Sequence, residues 1–133
     1  MQAKTGAKSQ HKIFLVEDDD FLSSMLLKKF REHAIPTERF ETGRSVLEAF
    51  AKEVPSLLLL DLYLPDINGF EVLEAVRKDE TLKHLTVLVI SNTAQAKDKE
   101  RVEAMGARFI TKALVTPEEI AKHVEDALGA LVA

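Results

Sequence analysis

Short runs rich in apolar residues recur along the chain at intervals of 20 to 30 positions. A run of four to six such residues bounded by Pro, Gly or polar residues is typical of a buried strand. The segment that begins at Pro36 is more polar, which favours an edge strand, because Pro cannot donate to a ladder. Strands are therefore predicted over residues 13–16, 36–41, 57–60, 86–90 and 108–111.

Apolar residues return at helical spacing between these runs. Helices are predicted over 20–33, from about 46 to 50 after a turn at Gly43, from 70 to about 79, over 96–105, and from the cap Thr116 towards 131. The fourth helix is almost wholly charged, and its apolar side is little more than Val102 and Met105. We expect it to be loosely held and to end at Gly106.

Strands that alternate with helices predict an α/β fold with a parallel sheet, right-handed crossovers and helices on both faces. The strongest apolar runs belong to the first, third and fourth strands, so these are expected at the centre. We expect one domain over residues 12–133, preceded by a flexible tail of small and polar residues over 1–11.

Composition narrows the function without assigning one. The chain of 133 residues has a net charge of −4, which gives no broad attraction to nucleic acid or to anionic membranes. It has no Cys, so disulfides and thiolate sites are excluded. It has no Trp, which argues against a stacking platform for bases. No stretch predicts a membrane span or a signal segment, so a cytoplasmic protein is expected.

Polar side chains follow the predicted strands at the point where each strand ends. Glu17 and Asp18 follow the first, Asp61 the third, Ser91 the fourth and Lys112 the fifth. Each has a local explanation when taken alone, because acidic residues cap helices and turns. The carboxyl ends of parallel strands share one edge of a sheet, where ligands bind. We therefore predict one shared site.

The charges of this site suggest its chemistry. Three clustered carboxylates repel one another, and a Mg²⁺ ion with its preference for oxygen ligands would relieve that repulsion. A screened Asp61 could then attack a phosphoryl group, since aspartate forms aspartyl-phosphates. Lys112 would neutralise the phosphoryl oxygens, and Ser91 would donate a hydrogen bond to one of them.

These motifs together resemble the receiver domain of two-component response regulators. The segments that carry the resemblance are Phe-Leu-Val-Glu17-Asp18, Leu-Leu-Asp61-Leu-Tyr63-Leu-Pro65-Asp-Ile-Asn-Gly69, Val-Ile-Ser91 and Phe109-Ile-Thr-Lys112. The resemblance covers about residues 12 to 131 and implies a flavodoxin-like, doubly wound sheet of five parallel strands in the order 2-1-3-4-5. The combination of motifs is specific, whereas no single motif would be.

The resemblance also implies roles for the site residues. Asp61 would accept a phosphoryl group from a phosphohistidine of a sensor histidine kinase or phosphotransfer protein. Asp18, Asp61 and the backbone carbonyl of Tyr63 would bind Mg²⁺, with Glu17 acting through water. The chain would catalyse only its own phosphorylation and dephosphorylation, as a monomer or weak dimer, and its downstream protein is not readable from the sequence.

A conformational switch is implied by the same family. Ser91 and Lys112 would hold the phosphoryl group, and Phe109 occupies the aromatic switch position. Movement of Ser91 and Phe109 would remodel the face formed by the fourth helix, fifth strand and fifth helix. The sparse apolar side of the fourth helix fits a mobile element.

The sequence departs from the family pattern at two positions beside the expected phosphate pocket. Ala113 follows Lys112 where the family usually has Pro in a cis bond, and a cis bond before Ala would cost several kcal/mol more. Asn92 follows Ser91 where the family usually has Ala or Gly. Both positions bear on the rate of phosphorylation and the lifetime of the phosphorylated state.

Three alternatives remain at this point. A flavodoxin-like cofactor binder shares the fold, but its phosphate loop is rich in Ser, Thr and Gly, unlike the acidic run that begins at Glu17. A phosphatase of the haloacid-dehalogenase type carries a second Asp where this chain has Tyr63. The third alternative is a receiver-like module that binds proteins independently of phosphate.

Overall fold

The computed structural model describes residues 11–92 and 95–132, and the tail predicted over residues 1–11 lies outside the described residues except for His11. The strands are β1 (Ile13–Val16), β2 (Thr37–Phe40), β3 (Leu57–Asp61), β4 (Thr86–Ser91) and β5 (Arg108–Thr111). The helices are α1 (Asp20–Glu32), α2 (Gly43–Ala49), α3 (Gly69–Lys78), α4 (Ala96–Ala104) and α5 (Pro117–Val132). A short 3₁₀ turn, Lys112–Leu114, joins β5 to α5.

The strands form one parallel sheet in the order β2-β1-β3-β4-β5. The predicted order is confirmed, and the polar β2 lies at an edge as expected. The three strands with the strongest apolar runs occupy the centre, where helices cover both faces of the sheet. Leu57, Leu58, Leu59 and Leu60 are all fully buried, which explains why this strand shows no alternation of apolar and polar residues.

Side chains of one strand alternate between two separate hydrophobic cores, because successive residues point to opposite faces of a sheet. Phe14, Val16, Leu58 and Leu60 pack in the core beneath α2, α3 and α4. Their immediate neighbours Ile13, Leu15, Leu57 and Leu59 pack in the core beneath α1 and α5. The sheet thus keeps the two cores apart.

The predicted helices are confirmed, but α2 begins earlier than its apolar residues indicate. The prediction treated Gly43 as a turn, whereas Gly43 is the first helical residue. Thr42 is the N-cap, and its Oγ1 accepts the backbone N–H of Ser45 at 3.1 Å. Periodicity locates the buried face of a helix, while a cap outside that face sets its start.

Capping also sets the start of α5. Thr116 Oγ1 accepts the N–H of Glu119 at 3.1 Å, and the Glu119 carboxylate accepts the N–H of Thr116 at 2.8 Å. This reciprocal pair is the capping box that the sequence predicts. Across residues 11–92 and 95–132, no helix has both the length and the apolar character needed to cross a membrane.

Candidate functional site

The register of the sheet brings the polar strand ends to one edge. Val16 lies opposite Leu60, so the following residues Glu17 and Asp61 are neighbours. In the same way Asp61 lies opposite Ile90, next to Ser91. Ser91 lies opposite Thr111, which precedes Lys112. The shared edge expected from the alternation of strands and helices is therefore present.

Three carboxylates meet at this edge. Glu17, Asp18 and Asp61 each offer an oxygen, and these oxygens lie within 4.8 Å of one another. Glu17 and Asp61 are only 1% and 4% exposed, whereas Asp18 faces solvent. An all-oxygen donor set of this kind suits a hard divalent cation, so these three residues could bind a metal ion.

Lys112 supplies the positive charge of the cluster. Its Nζ donates a hydrogen bond to Asp61 Oδ2 at 2.9 Å and forms an ion pair with Glu17 Oε1, also at 2.9 Å. Burial lowers the pKa of Lys112, but the two carboxylates outweigh burial and the pKa is raised overall. The ammonium therefore stays charged between two acidic residues, one directly after β1 and one at the end of β3.

Glu17 is the most enclosed acidic residue of the site. Burial raises its pKa, the nearby Asp61 charge adds to this effect, and Lys112 and the N–H of Asp19 oppose it. Its backbone carbonyl accepts hydrogen bonds from Arg39 Nε at 3.0 Å and from Ser23 Oγ at 3.3 Å. These two contacts fix the loop between β1 and α1.

Neither Arg39 nor Ser23 was expected to contribute to the site. Arg39 lies in β2, 22 positions from Glu17, and its guanidinium also pairs with Asp20 at 3.0 Å. Only the parallel pairing of β2 with β1 reveals this contact. Ser23 is 1% exposed. The one signal for it in the sequence is its helical spacing from the apolar residues Leu26 and Phe30, since Ser is seldom buried.

The loop of residues 62–68 closes the site after β3. The N–H of Tyr63 donates to Asp61 Oδ1 at 3.1 Å, and the N–H of Gly69 donates to the Leu62 carbonyl at 2.7 Å. A Cβ at Gly69 would lie 2.5 Å from Leu62 Cα, so only Gly permits this close approach. Asn68 caps α3, with its Oδ1 accepting the N–H of Phe70 at 2.7 Å.

The remaining predicted residues lie around this cluster. Ser91 is fully buried at the end of β4, and Phe109 is half-buried in β5 against the core beneath α2, α3 and α4. Asn92 is exposed beside Ser91. The Lys112–Ala113 bond is trans, which agrees with the absence of Pro after Lys112.

The chain is similar to known proteins over most of its length. The family model described as the response regulator receiver domain matches residues 13–125. The polar-differentiation response regulator DivK of Brucella ovis is 28% identical over 119 residues, which cover 86% of this chain and 97% of that protein. DivK of Brucella anthropi is 27% identical over the same length.

Solved structures agree with the observed architecture. A crystal structure assigned to a response regulator of Chloroflexus aurantiacus J-10-fl has a TM-score of 0.81 at 27% identity, covering 90% of this chain and 98% of that one. The chemotaxis response regulator CheY4 of Vibrio cholerae has a TM-score of 0.80 at 23% identity, covering 89% and 98%. The latter similarity concerns the fold alone. Together with the acidic site, the family match shows that the chain belongs to the receiver domains of response regulators, which work in phosphorylation-based signalling.

Proposed function

We propose that Asp61 is the residue that accepts the phosphoryl group, in a reaction that requires Mg²⁺. The observation that carries the proposal is the arrangement of charges around Asp61. Its carboxylate lies within 4.8 Å of two further carboxylate groups, and its Oδ2 lies 2.9 Å from the Lys112 ammonium. Asp61 also stands at the end of a central strand, where α/β folds bind ligands.

The transfer step follows from these positions. A carboxylate oxygen of Asp61 attacks the phosphorus of a phosphohistidine, an O–P bond forms, and the N–P bond breaks with its electron pair returning to the imidazole. The Lys112 ammonium, freed from Asp61 Oδ2, neutralises an oxygen of the transferred group. Ser91, which lies one strand away, donates a hydrogen bond to another oxygen.

The acidic residues suit a bound Mg²⁺, which would supply neutralisation of the phosphoryl charge. Asp18 and Asp61 would bind the ion directly, together with the backbone carbonyl of Tyr63. Glu17, which is buried and already engaged with Lys112, would act through water. We propose that the chain catalyses no reaction beyond its own phosphorylation and dephosphorylation.

The output of the reaction is proposed to be a conformational switch. Movement of Ser91 towards the phosphoryl group would vacate space for the half-buried ring of Phe109. The face formed by α4, β5 and α5 would change as a result. The proposed switch is supported by the weak anchoring of α4, in which Val102 is the buried residue among those that the structure describes.

The phosphodonor is proposed to be a sensor histidine kinase or a phosphotransfer protein, acting in the cytoplasm. Two large apolar side chains, Phe21 and Leu114, are 75% and 79% exposed. Phe21 lies at the start of α1, and Leu114 lies in the turn before α5. These two helices pack on the same face of the sheet. Both side chains flank the strand ends that carry the site, so they are proposed to contact the donor protein.

The proposal is tested by intact-mass spectrometry after incubation with acetyl phosphate, with and without Mg²⁺. We expect wild type to gain one phosphoryl group only when Mg²⁺ is present, and Asp61→Asn to gain none. Asp79→Asn is the matched control. Asp79 lies between α3 and β4, at the amino-terminal ends of the strands and so on the side of the sheet opposite the site.

Two results would contradict the proposal. Modification of Asp61→Asn to the wild-type extent would mean that another residue is the acceptor. No modification of wild type, even by a panel of phosphorylated kinases, would instead support a module that acts through protein contacts independently of phosphate.

A further inference from the structure

The loop of residues 62–68 forms one wall of a cavity at the site. This cavity of about 280 Å³ is lined by Asp18 and by residues 62–68. The first part of the loop is tied to the site, because the N–H of Tyr63 donates to Asp61 Oδ1. The position of the loop therefore sets the distance between the Tyr63 backbone and the acidic side chains across the cavity.

Asp66 anchors the middle of this loop to a different element. Its Oδ1 accepts the N–H of Gly43 and its Oδ2 accepts the N–H of Arg44, both at 2.9 Å. Desolvation raises the pKa of Asp66, but these backbone N–H groups outweigh it and the pKa is lowered overall. The carboxylate is thus held ionised with both oxygens engaged on the first residues of α2.

Close packing accompanies these two hydrogen bonds. A Cβ placed on Gly43 would lie 2.5 Å from Ile67 Cγ1, 2.9 Å from its Cδ1 and 3.0 Å from Val72 Cγ2. Ile67 therefore rests directly on the Gly43 backbone. The loop and the start of α2 fit together with no room for even one additional methyl group unless Ile67 moves.

Helix α2 does not depend on Asp66 for its own N-cap. Thr42 already fills that role, with its Oγ1 accepting the N–H of Ser45. The contacts of Asp66 join residues 23 and 22 positions apart, so they restrain the loop relative to the helix. A local cap would restrain only the helix.

We propose that Asp66 is a positioning residue of the metal site, an inference that rests on the Mg²⁺ site proposed above. By fastening residues 62–68 to the start of α2, Asp66 keeps the backbone of Tyr63 in place opposite Asp18. Loss of this anchor releases the loop, and the backbone ligand is then no longer pre-positioned. Residues that orient metal ligands in this way commonly change metal affinity by about 10- to 100-fold.

The test compares Mg²⁺ affinity across matched variants by isothermal titration calorimetry. We expect the Kd of Asp66→Ala to rise by about tenfold, the lower end of that range, and the Kd of Asp66→Asn to rise less because one acceptor oxygen remains. Asp79→Ala is the matched control. Asp79 Oδ1 also accepts two hydrogen bonds in a loop, from the N–H and the hydroxyl of Thr81, but at the opposite edge of the sheet.

A second readout follows the loop itself without metal. Tyr63 is the one tyrosine of the chain, which has no Trp, so tyrosine emission and the tyrosine band of the near-ultraviolet circular dichroism spectrum report on the surroundings of this loop residue. Both signals should change in metal-free Asp66→Ala and stay unchanged in Asp79→Ala. A merely stabilising role for Asp66 would not produce that difference.

Gly43→Ala provides an independent route to the same displacement. The added methyl group pushes Ile67 away while Ala favours the helix itself, so weaker Mg²⁺ binding here would support loop positioning even if Asp66→Ala fails to fold. A wild-type Kd in the folded Asp66 variants, or an equal loss in Asp79→Ala, would overturn the inference. Absence of Mg²⁺ binding by wild type would instead overturn the proposed metal site, and the inference with it.

Discussion

Lys112 offsets the negative charge of the two buried carboxylates of the site. Its ammonium lies 2.9 Å from a carboxylate oxygen of β3 and 2.9 Å from another at the end of β1. Two buried carboxylate groups without a nearby cation would be costly, because burial penalises charge. In the metal-free protein, Lys112 therefore neutralises part of this negative charge. A bound divalent cation and a phosphoryl group would change that charge balance.

Ala34 carries the single strained backbone among the non-Gly residues of the described chain, with φ at +58° just after α1. Left-handed backbone costs L-residues about 1 to 2 kcal/mol and costs Gly almost nothing. After the greater entropy of Gly in the unfolded chain is subtracted, Ala34→Gly should raise the free energy of unfolding by up to about 1 kcal/mol.

Urea unfolding followed by circular dichroism measures this change. Ala51→Gly is the control, because Ala51 is also exposed in a turn but does not have a positive φ. Its free energy of unfolding should fall. An equal fall in the free energy of unfolding of Ala34→Gly would show that the positive φ of Ala34 does not lower stability.

At the scale of single elements, α4 is held mainly by polar contacts. Arg101 pairs with Glu74 at 3.0 Å, and its guanidinium lies 4.0 Å from the centre of the Phe70 ring. The hydroxyl of Tyr63 donates to Asp98 at 3.2 Å. Exposed contacts of this kind contribute little each, so α4 can shift at a small cost in free energy.

Hydrogen exchange should therefore separate α4 from α3. The α4 amides should exchange through local opening at a lower free energy than those of α3, which buries Phe70, Val72, Leu73 and Val76. Exchange followed by mass spectrometry or NMR in the metal-free protein tests this expectation. Equal protection of the two helices would contradict it and would leave the proposed switch without a mobile element.

A histidine links α1 to α5. His33 Nε2 lies 2.9 Å from Glu118 and its Nδ1 lies 2.9 Å from Glu125, while Lys29 pairs with Glu118 and with Glu32. The contact with Glu125, followed by that with Glu118, raises the pKa of His33 despite the opposing effect of desolvation. The two helices are thus joined more tightly when the imidazole is protonated.

The sign of the pH effect follows from this raised pKa. Protonated His33 stabilises the fold fully below its unfolded pKa of about 6.5, and the contribution is lost as the pH rises through the higher folded value. The Tm of wild type should exceed that of His33→Gln at about pH 6, and the gap should narrow by about pH 9. His84→Gln, which alters an exposed histidine in another loop, should show no such trend. A constant gap for His33→Gln would refute the assignment.

At the scale of the whole molecule, the acidic cluster favours metal binding but lowers the stability of the metal-free protein. Asp18→Asn removes one of three neighbouring negative charges, so the metal-free variant should have a higher Tm than wild type. Mg²⁺ at 100 times its Kd should stabilise wild type by about 2.7 kcal/mol and should stabilise the variant much less. Differential scanning calorimetry measures both effects.

Asp126→Asn serves as the control for that experiment, since Asp126 is exposed on α5. It should leave the response to Mg²⁺ unchanged. If Asp18→Asn retained the full Mg²⁺ stabilisation, Asp18 would not be a metal ligand.

Most of this architecture could be predicted from the sequence because it rests on local patterns. Buried runs such as Leu57–Leu60 predict strands, and the residues directly after them share one edge by topology alone. What could not be predicted depends on distant partners. Asp66 reads as an ordinary loop acid after Pro65, and its contacts with α2 exist only once α2 and the loop are placed together. The start of α2 was missed for a different reason, because the Thr42 cap that sets it lies outside the apolar periodicity of the helix.

The separation of the two cores by the sheet has a consequence for how this sequence can evolve. Leu58 and Leu59 are adjacent in the chain but lie in different cores, so substitutions at the two positions act on different sets of side-chain neighbours and should couple less than substitutions within one core. Strong epistasis is expected instead within each core. On β5, Phe109 packs in one core and Ile110 in the other, so the same weak coupling is expected between these two neighbours.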